Sequence, residues 1–340
     1  MGSSAKALKG VIRDKFKIES RIRNLPPVLW ILIALITTFS VTTQNYFSFS
    51  NLSNILVQSV ALMILAFAQT LIVLTQGTDL SLGAQVSFVT VLWVYMAQRG
   101  VPIYLAAVLS VLAAMAAGAV NGLLVGKGKI PPFIATFGMQ NILSSIALVL
   151  TAGSSIYISH YVFQFVTETR VLFIPSPVWI TVAMFAMTWI LLNRTRFGIN
   201  IRGLGGNQEA LTLAGVNIVK SYVRTYMYAG FLAGIAGLLT ACRVESGQPT
   251  VGAGWEFEAV AATLLGGTSL REGRGGITGT IAGVFMLIVL RNGLNVLGVS
   301  ARFQNAIIGI IVMLAIVIDS LVRRSRKDWG EECGQGNAAD

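Results

Sequence analysis

Long apolar stretches separated by short polar ones dominate the chain. Between Arg23 and Asp79 there are 55 consecutive positions without a charged residue. A helix crossing the hydrocarbon of a bilayer needs about 20 residues, so this gap predicts two crossings and a polar connection. Ten such stretches stand out, at about 26–43, 53–75, 81–98, 103–125, 132–152, 173–193, 224–242, 257–269, 276–297 and 304–322. Backbone groups in lipid must satisfy one another, so spans of this length are expected to be helical. The predicted fold class is all-α: a polytopic membrane helical bundle of about ten transmembrane helices. The domains are a basic segment 1–24, a transmembrane domain 25–322, and a tail 323–340 expected to lack order.

Composition agrees with the pattern. The 340 residues are 54% hydrophobic and 11% charged, against about 25% charged in soluble domains. The net charge of +11 does not point to nucleic acid, because the basic residues flank the apolar stretches, where they orient a membrane protein. Placing the N-terminus in the cytoplasm and alternating sides puts 20 of the 25 Lys/Arg inside. These are seven between Lys6 and Arg23, then Lys127, Lys129, Arg194, Arg196, Arg202, Lys220, Arg224, Arg271, Arg274, Arg323, Arg324, Arg326 and Lys327. Both termini are therefore predicted to be cytoplasmic. The basic N-terminal run is longer than a signal-peptide n-region and no small-residue cleavage pattern follows, so the first span is expected to be retained.

The eighth stretch is short. Re-entry is one option, but removing a crossing there would turn Arg323–Lys327 outward, so a short buried crossing is expected. The pairs Gly118/Gly122 and Gly230/Gly234 and the run Gly275/Gly279/Gly283 have the spacing that lets helices approach closely. His160, the single histidine, falls in the largest outer segment and reads as a solvent-facing loop residue. The polar residues within spans are Gln58, Gln69, Gln85, Asn121, Gln140, Asn141, Asn292 and Asn295. Each fits interhelical hydrogen bonding; Asn121 and Gln140 are the candidates for a solute pathway.

Catalytic chemistry is missing from the motifs. Gly122-Leu-Leu-Val-Gly126-Lys127-Gly128 has the wrong spacing for a phosphate-binding loop and a Gly where Ser/Thr is needed. One histidine forbids a His-Glu-x-x-His metal site, and Cys242 and Cys333 have no metal-ligand spacing. No cofactor is expected. Asp79, Arg291 and Asp319 fall near span ends, which argues against ion coupling, since coupled carriers often keep ionisable groups at mid-depth. The inner segment 194–223 offers a handle for a partner instead. Asn207 follows Gly205 and Gly206 and suits an N-cap, residues 208–214, with Glu209 and Ala210, favour a helix, and Gly215 supplies a stop.

Several stretches together resemble the permease subunits of bacterial ABC importers for monosaccharides. They are Gly77-Thr-Asp-Leu-Ser-Leu-Gly83, Asn121-Gly-Leu-Leu-Val, Lys129-Ile-Pro-Pro-Phe-Ile-Ala-Thr136 and Asn193-Arg-Thr-Arg-Phe-Gly198. Gly205-Gly-Asn207, Ala214-Gly215, Leu264-Leu-Gly-Gly-Thr-Ser-Leu270, Gly273-Arg-Gly-Gly276 and Asn292-Gly-Leu-Asn295 complete the set. The resemblance implies location in the bacterial inner membrane and a second permease copy or related chain. It also implies a cytoplasmic ABC ATPase contacting Gly205–Gly215 and a periplasmic sugar-binding protein at the outer face. An ion-coupled carrier and an ABC permease for branched-chain amino acids are the competing expectations.

Overall fold

The computed structural model describes residues 27–43, 46–270 and 272–300, and, further on, 303, 304, 306–310, 313, 314 and 317. The basic N-terminal run, Arg271, Cys333 and the tail 323–340 lie outside the described residues.

The chain is mostly helical, as its pattern predicts. The elements are α1 (Pro27–Thr42), α2 (Phe49–Val73), α3 (Ser81–Gln98), α4 (Ile103–Gly126), α5 (Pro132–Thr151), β1 (Ile156–Tyr157), α6 (Tyr161–Glu168), β2 (Arg170–Val171) and β3 (Ile174–Pro175). They continue with α7 (Ser176–Arg194), α8 (Arg196–Gly206), α9 (Gln208–Leu213), α10 (Ile218–Val244), β4 (Ser246–Gly247), α11 (Trp255–Leu265) and α12 (Ile277–Val296). The described residues from 303 to 317 are helical too. Among the described residues, six helices, α2, α4, α5, α7, α10 and α12, are long and apolar enough to cross a membrane.

Helix α2 is the axis of the bundle. Its side chains from Leu62 to Val73 are all buried, packed among α7, α10, α11 and α12. The glycine spacing seen in the sequence works as helix packing. A Cβ at Gly118 of α4 would lie 2.2 Å from the Tyr226 carbonyl oxygen, and one at Gly230 of α10 would lie 2.4 Å from that of Ala114. Between α11 and α12, Gly279 meets Gly266 and Gly283 meets Ala262 in the same way.

The eighth stretch forms the short, largely buried helix α11, preceded by backbone that the hydrophobic pattern did not mark. Helix α11 has 11 residues, about 16 Å at 1.5 Å per residue, about half the thickness of a hydrocarbon core. The helical part is short because the first half of this passage is not helix. After β4, residues 248–254 run alongside α3, whose hydroxyls serve the backbone: the Gln248 amide donates to Thr90 Oγ1 (3.1 Å) and the Gly252 amide to Ser87 Oγ (2.9 Å). Irregular backbone at depth is tolerated when protein groups satisfy it in this manner. This use of α3 accounts for Ser87 and Thr90.

The two ends of the bundle differ. At one, β1 pairs antiparallel with β4, and Phe163 of α6 is fully buried against Trp93 at a ring separation of 4.5 Å. His160 is not a plain loop residue: half-buried, it caps α6, its Nδ1 accepting from the Val162 amide (3.2 Å). At the other end lie the 74–80 turn, α8, α9 and the 266–276 turn.

Candidate functional site: a helical bracket and a buried polar knot

The predicted short helix forms as α9. Asn207 is extended (φ −151°) and its Oδ1 accepts from the Ala210 amide at 2.9 Å. Gly215, at φ +76°, takes the left-handed conformation that glycine adopts without strain. A second helix, α8, precedes it. Sequence reasoning left α8 out because Gly198, Gly203, Gly205 and Gly206 each lower helix propensity by about 1 kcal/mol relative to Ala. Its one legible signal is Thr195, whose hydroxyl accepts from the Phe197 amide at 3.2 Å as an N-cap.

Close approach accounts for two of those glycines. A Cβ at Gly198 would meet the Leu192 carbonyl oxygen at 1.8 Å, and one at Gly205 that of Leu74 at 2.0 Å and Gly273 Cα at 3.2 Å. Gly205 is buried, so it belongs to a three-way backbone junction between α8, the end of α2 and the 266–276 turn. Gln76 Nε2 donates to the Gly205 carbonyl at 2.7 Å and reinforces it. Gly206, Asn207, Glu209, Ala210 and Gly215 are exposed, and Leu213 is 89% exposed. Gln208 ties α9 to α10 through the Tyr222 hydroxyl (2.9 Å), and Arg202 ties α8 to the end of α7 through the Leu192 carbonyl (2.9 Å). The bracket is thus rigidly held with one free face.

Directly behind the junction is a polar knot. Asp79 Oδ1 accepts from the Ser81 amide (2.8 Å) and hydroxyl (2.6 Å). Ser81 Oγ in turn accepts from Gln85 Nε2 (2.8 Å) and Asn121 Nδ2 (2.9 Å). The Leu80 amide donates to Thr136 Oγ1 at 3.1 Å. Asp79, Ser81, Gln85, Asn121 and Thr136 all have 0% exposure. The knot therefore fastens the 74–80 turn and α3 to α4 and α5.

Of the two pathway candidates, Asn121 is wholly enclosed in this knot. Gln140 is half-buried on α5, where its Nε2 donates to Glu256 Oε1 at 3.2 Å. The structure does not bring the two together in a direct hydrogen bond. Asn292 pairs reciprocally with Asn51 (3.0 and 3.1 Å), the interhelical bond expected of a polar residue in a span.

Asp79 lies near a helix end, two residues before α3, as the sequence reading has it, and Glu256 lies in the first turn of α11. Neither is at a solvated end: Asp79 is fully buried and Glu256 is 2% exposed. Glu258 is partly buried and paired with Arg291. The scarcity of interior ionisable groups therefore does not separate the carrier classes here. An Asp two residues before a helix-initial Ser, within Gly77–Gly83, was the available signal for Asp79; Glu256 had none beyond its place at the edge of the eighth stretch.

Comparison with known proteins bears on this arrangement. A family model described as branched-chain amino acid transport system / permease component matches residues 51–316, which contain the bracket, the junction and the knot. This chain belongs to that permease family. The permease is 39% identical over 300 residues to the ribose import permease protein RbsC of Escherichia coli (strain K12), covering 86% of this chain and 91% of that protein. The RbsC of Bacillus subtilis (strain 168) is 37% identical over 309 residues, with 90% and 96% covered. The galactose/methyl galactoside import permease protein MglC of Haemophilus influenzae is 33% identical over 321 residues, with 88% and 95% covered. No solved structure matches the chain significantly. The permease is a multi-pass membrane protein and the non-catalytic component of its transport system.

Proposed function

We propose that the permease carries a monosaccharide or similar small polyol across the bacterial inner membrane, as the membrane subunit of an ATP-binding-cassette importer. The observation that carries this reading is the bracket α8–α9, held at three points and exposed along one face, in a chain whose relatives of nearly full length are sugar import permeases. A cytoplasmic ATPase grips the exposed Gly206–Gly215 stretch, including Asn207, Glu209 and Ala210. Its closure on ATP moves the bracket, and the Gly205 junction passes that displacement to α2 and the 266–276 turn. The ATPase must contact the permease differently in its two states for this to shift an equilibrium.

The end bearing the bracket faces the cytoplasm, with both termini, and the end bearing α6 meets a periplasmic sugar-binding protein. Two copies, or this chain and a related one, form the translocation unit. Lipid solvates the outward faces of α5 and α7, where most of the apolar window is uncovered. The proposal keeps ten passes by taking the 246–265 passage, half turns and half α11, as one crossing. Gln140, beside Glu256, is kept for the solute route; Asn121 acts as a tie.

The test is reconstitution with the ATPase and binding protein in liposomes. ATP-dependent uptake of a labelled pentose or hexose is expected. Uptake that persists without the ATPase, or follows an ion gradient, rules the proposal out. The family description favours a second reading, a branched-chain amino acid as solute, and ligand binding by the cognate binding protein decides between them.

A further inference from the structure

Two cavities meet inside the half of the permease that carries α6. One, of about 370 Å³, is walled largely by apolar side chains of α2 and α10, among them Val57, Val60 and Leu239. The other, of about 240 Å³, is lined by Gln58, Glu258, Arg291 and Asn295. Arg243 and Trp255 border both. Together the two fall in the size range of small-molecule sites, roughly 300–1,000 Å³. Thr167 of α6 and Pro177 of α7 line the apolar lobe from the loop side.

The polar lobe has hydrogen-bonding capacity left over. The Arg291 guanidinium donates to Glu258 Oε1, which leaves Oε2 available. Asn295 Oδ1 accepts from Gln304 (2.6 Å), which leaves its amide hydrogens available. Among the described residues, the side chains of Gln58 and Arg243 and the Trp255 indole N–H make no hydrogen bond. The lining therefore offers both donors and acceptors, next to an indole and an apolar wall. A lipid tail satisfies none of the polar groups, and an anion has Glu258 facing it. A sugar ring matches both lobes: its hydroxyls donate and accept at once, and its C–H face packs on indole and aliphatic side chains.

We infer that this double cavity is a monosaccharide-binding subsite within the permease, with Trp255 under the ring and Arg243, Gln58, Asn295 and Glu258 on its hydroxyls. It rests on the sugar-importer reading and adds to it a place where the solute pauses after leaving the binding protein.

Arg243→Gln and Trp255→Leu test it, each assembled with the ATPase and binding protein in liposomes. Uptake at saturating liganded binding protein is expected to fall at least tenfold, while binding-protein-stimulated ATP hydrolysis stays within twofold of wild type. A second measurement uses Asn295→Cys, whose reaction with a maleimide is expected to slow at least threefold in millimolar carried sugar. Unchanged uptake in both variants overturns the inference, as does an equal loss of ATP hydrolysis, which marks a support for the fold. Protection of the cysteine by anionic lipid vesicles and not by sugar also overturns it, assigning the cavity to a headgroup. If the wild-type complex imports no monosaccharide, the functional reading fails and takes this subsite with it; wild-type import with unaffected variants sinks the subsite alone.

Discussion

At the bracket end of the permease, backbone touches backbone; at the α6 end, side chains fill the space. Gly205 against Leu74 and Gly198 against Leu192 leave no room for a Cβ. At the opposite end, Phe163 stacks on Trp93, and Tyr104 and Tyr161 share a hydroxyl contact (2.7 Å) on the surface. Close-packed interiors transmit displacement because they deform little, and a backbone junction has no rotamer with which to absorb it. An aromatic contact repacks more readily. In the proposed importer, which receives force at the bracket end and takes in solute at the α6 end, that asymmetry separates a stiff coupling from an adaptable entrance.

The largest expected effect comes from filling the junction. Gly205→Val is predicted to reduce ATP-driven uptake to background with protein still present in the membrane, checked by uptake beside immunoblotting. More than a third of wild-type uptake in that variant would break the contrast between the ends. Next is the knot. Asp79→Ala strips the Ser81 amide and hydroxyl of their acceptor, and a buried donor left unpaired costs about 1–3 kcal/mol. Thermal unfolding in detergent should show a clear loss for Asp79→Ala and a smaller one for Asp79→Asn, which keeps an acceptor oxygen. Equal losses would mean that the carboxylate, and not the hydrogen bonds, matters.

Removing the cap with Asn207→Ala should cost about 1 kcal/mol locally and lower uptake several-fold by fraying α9, with Asn207→Asp restoring most of it. The smallest effect is expected at Tyr161→Phe: the Tyr104 contact is solvent-exposed, and uptake should stay within twofold. A large loss there would show that the α6 end is as exacting as the bracket.

Most of the helices were legible, because apolar length and flanking charge report directly on a bilayer. The helix after Asn207 was legible too, since a side-chain cap and a glycine stop are local chemistry. What the pattern hid was tertiary. The glycines of α8 look like helix breakers until Leu192 and Leu74 are seen against them. Asp79 looks like a charge at a span end because the 74–80 turn folds back into the bundle, where Ser81 and Asn121 wait for it. The backbone just before the eighth stretch hid for the same reason: its Gln248 and Gly252 amides are satisfied by Thr90 and Ser87 of another helix.

That borrowed satisfaction has a consequence for biogenesis. A segment of 11 helical residues with a non-helical lead cannot partition into lipid by itself as it leaves the ribosome, because its unpaired amides would face hydrocarbon. It must be received by α2 and α3, already synthesised and inserted, before it can settle. Loss of the Ser87 or Thr90 hydroxyl is therefore predicted to appear first as a protein that is made but degraded, rather than as one that is assembled and slow, checked by pulse-chase immunoblotting.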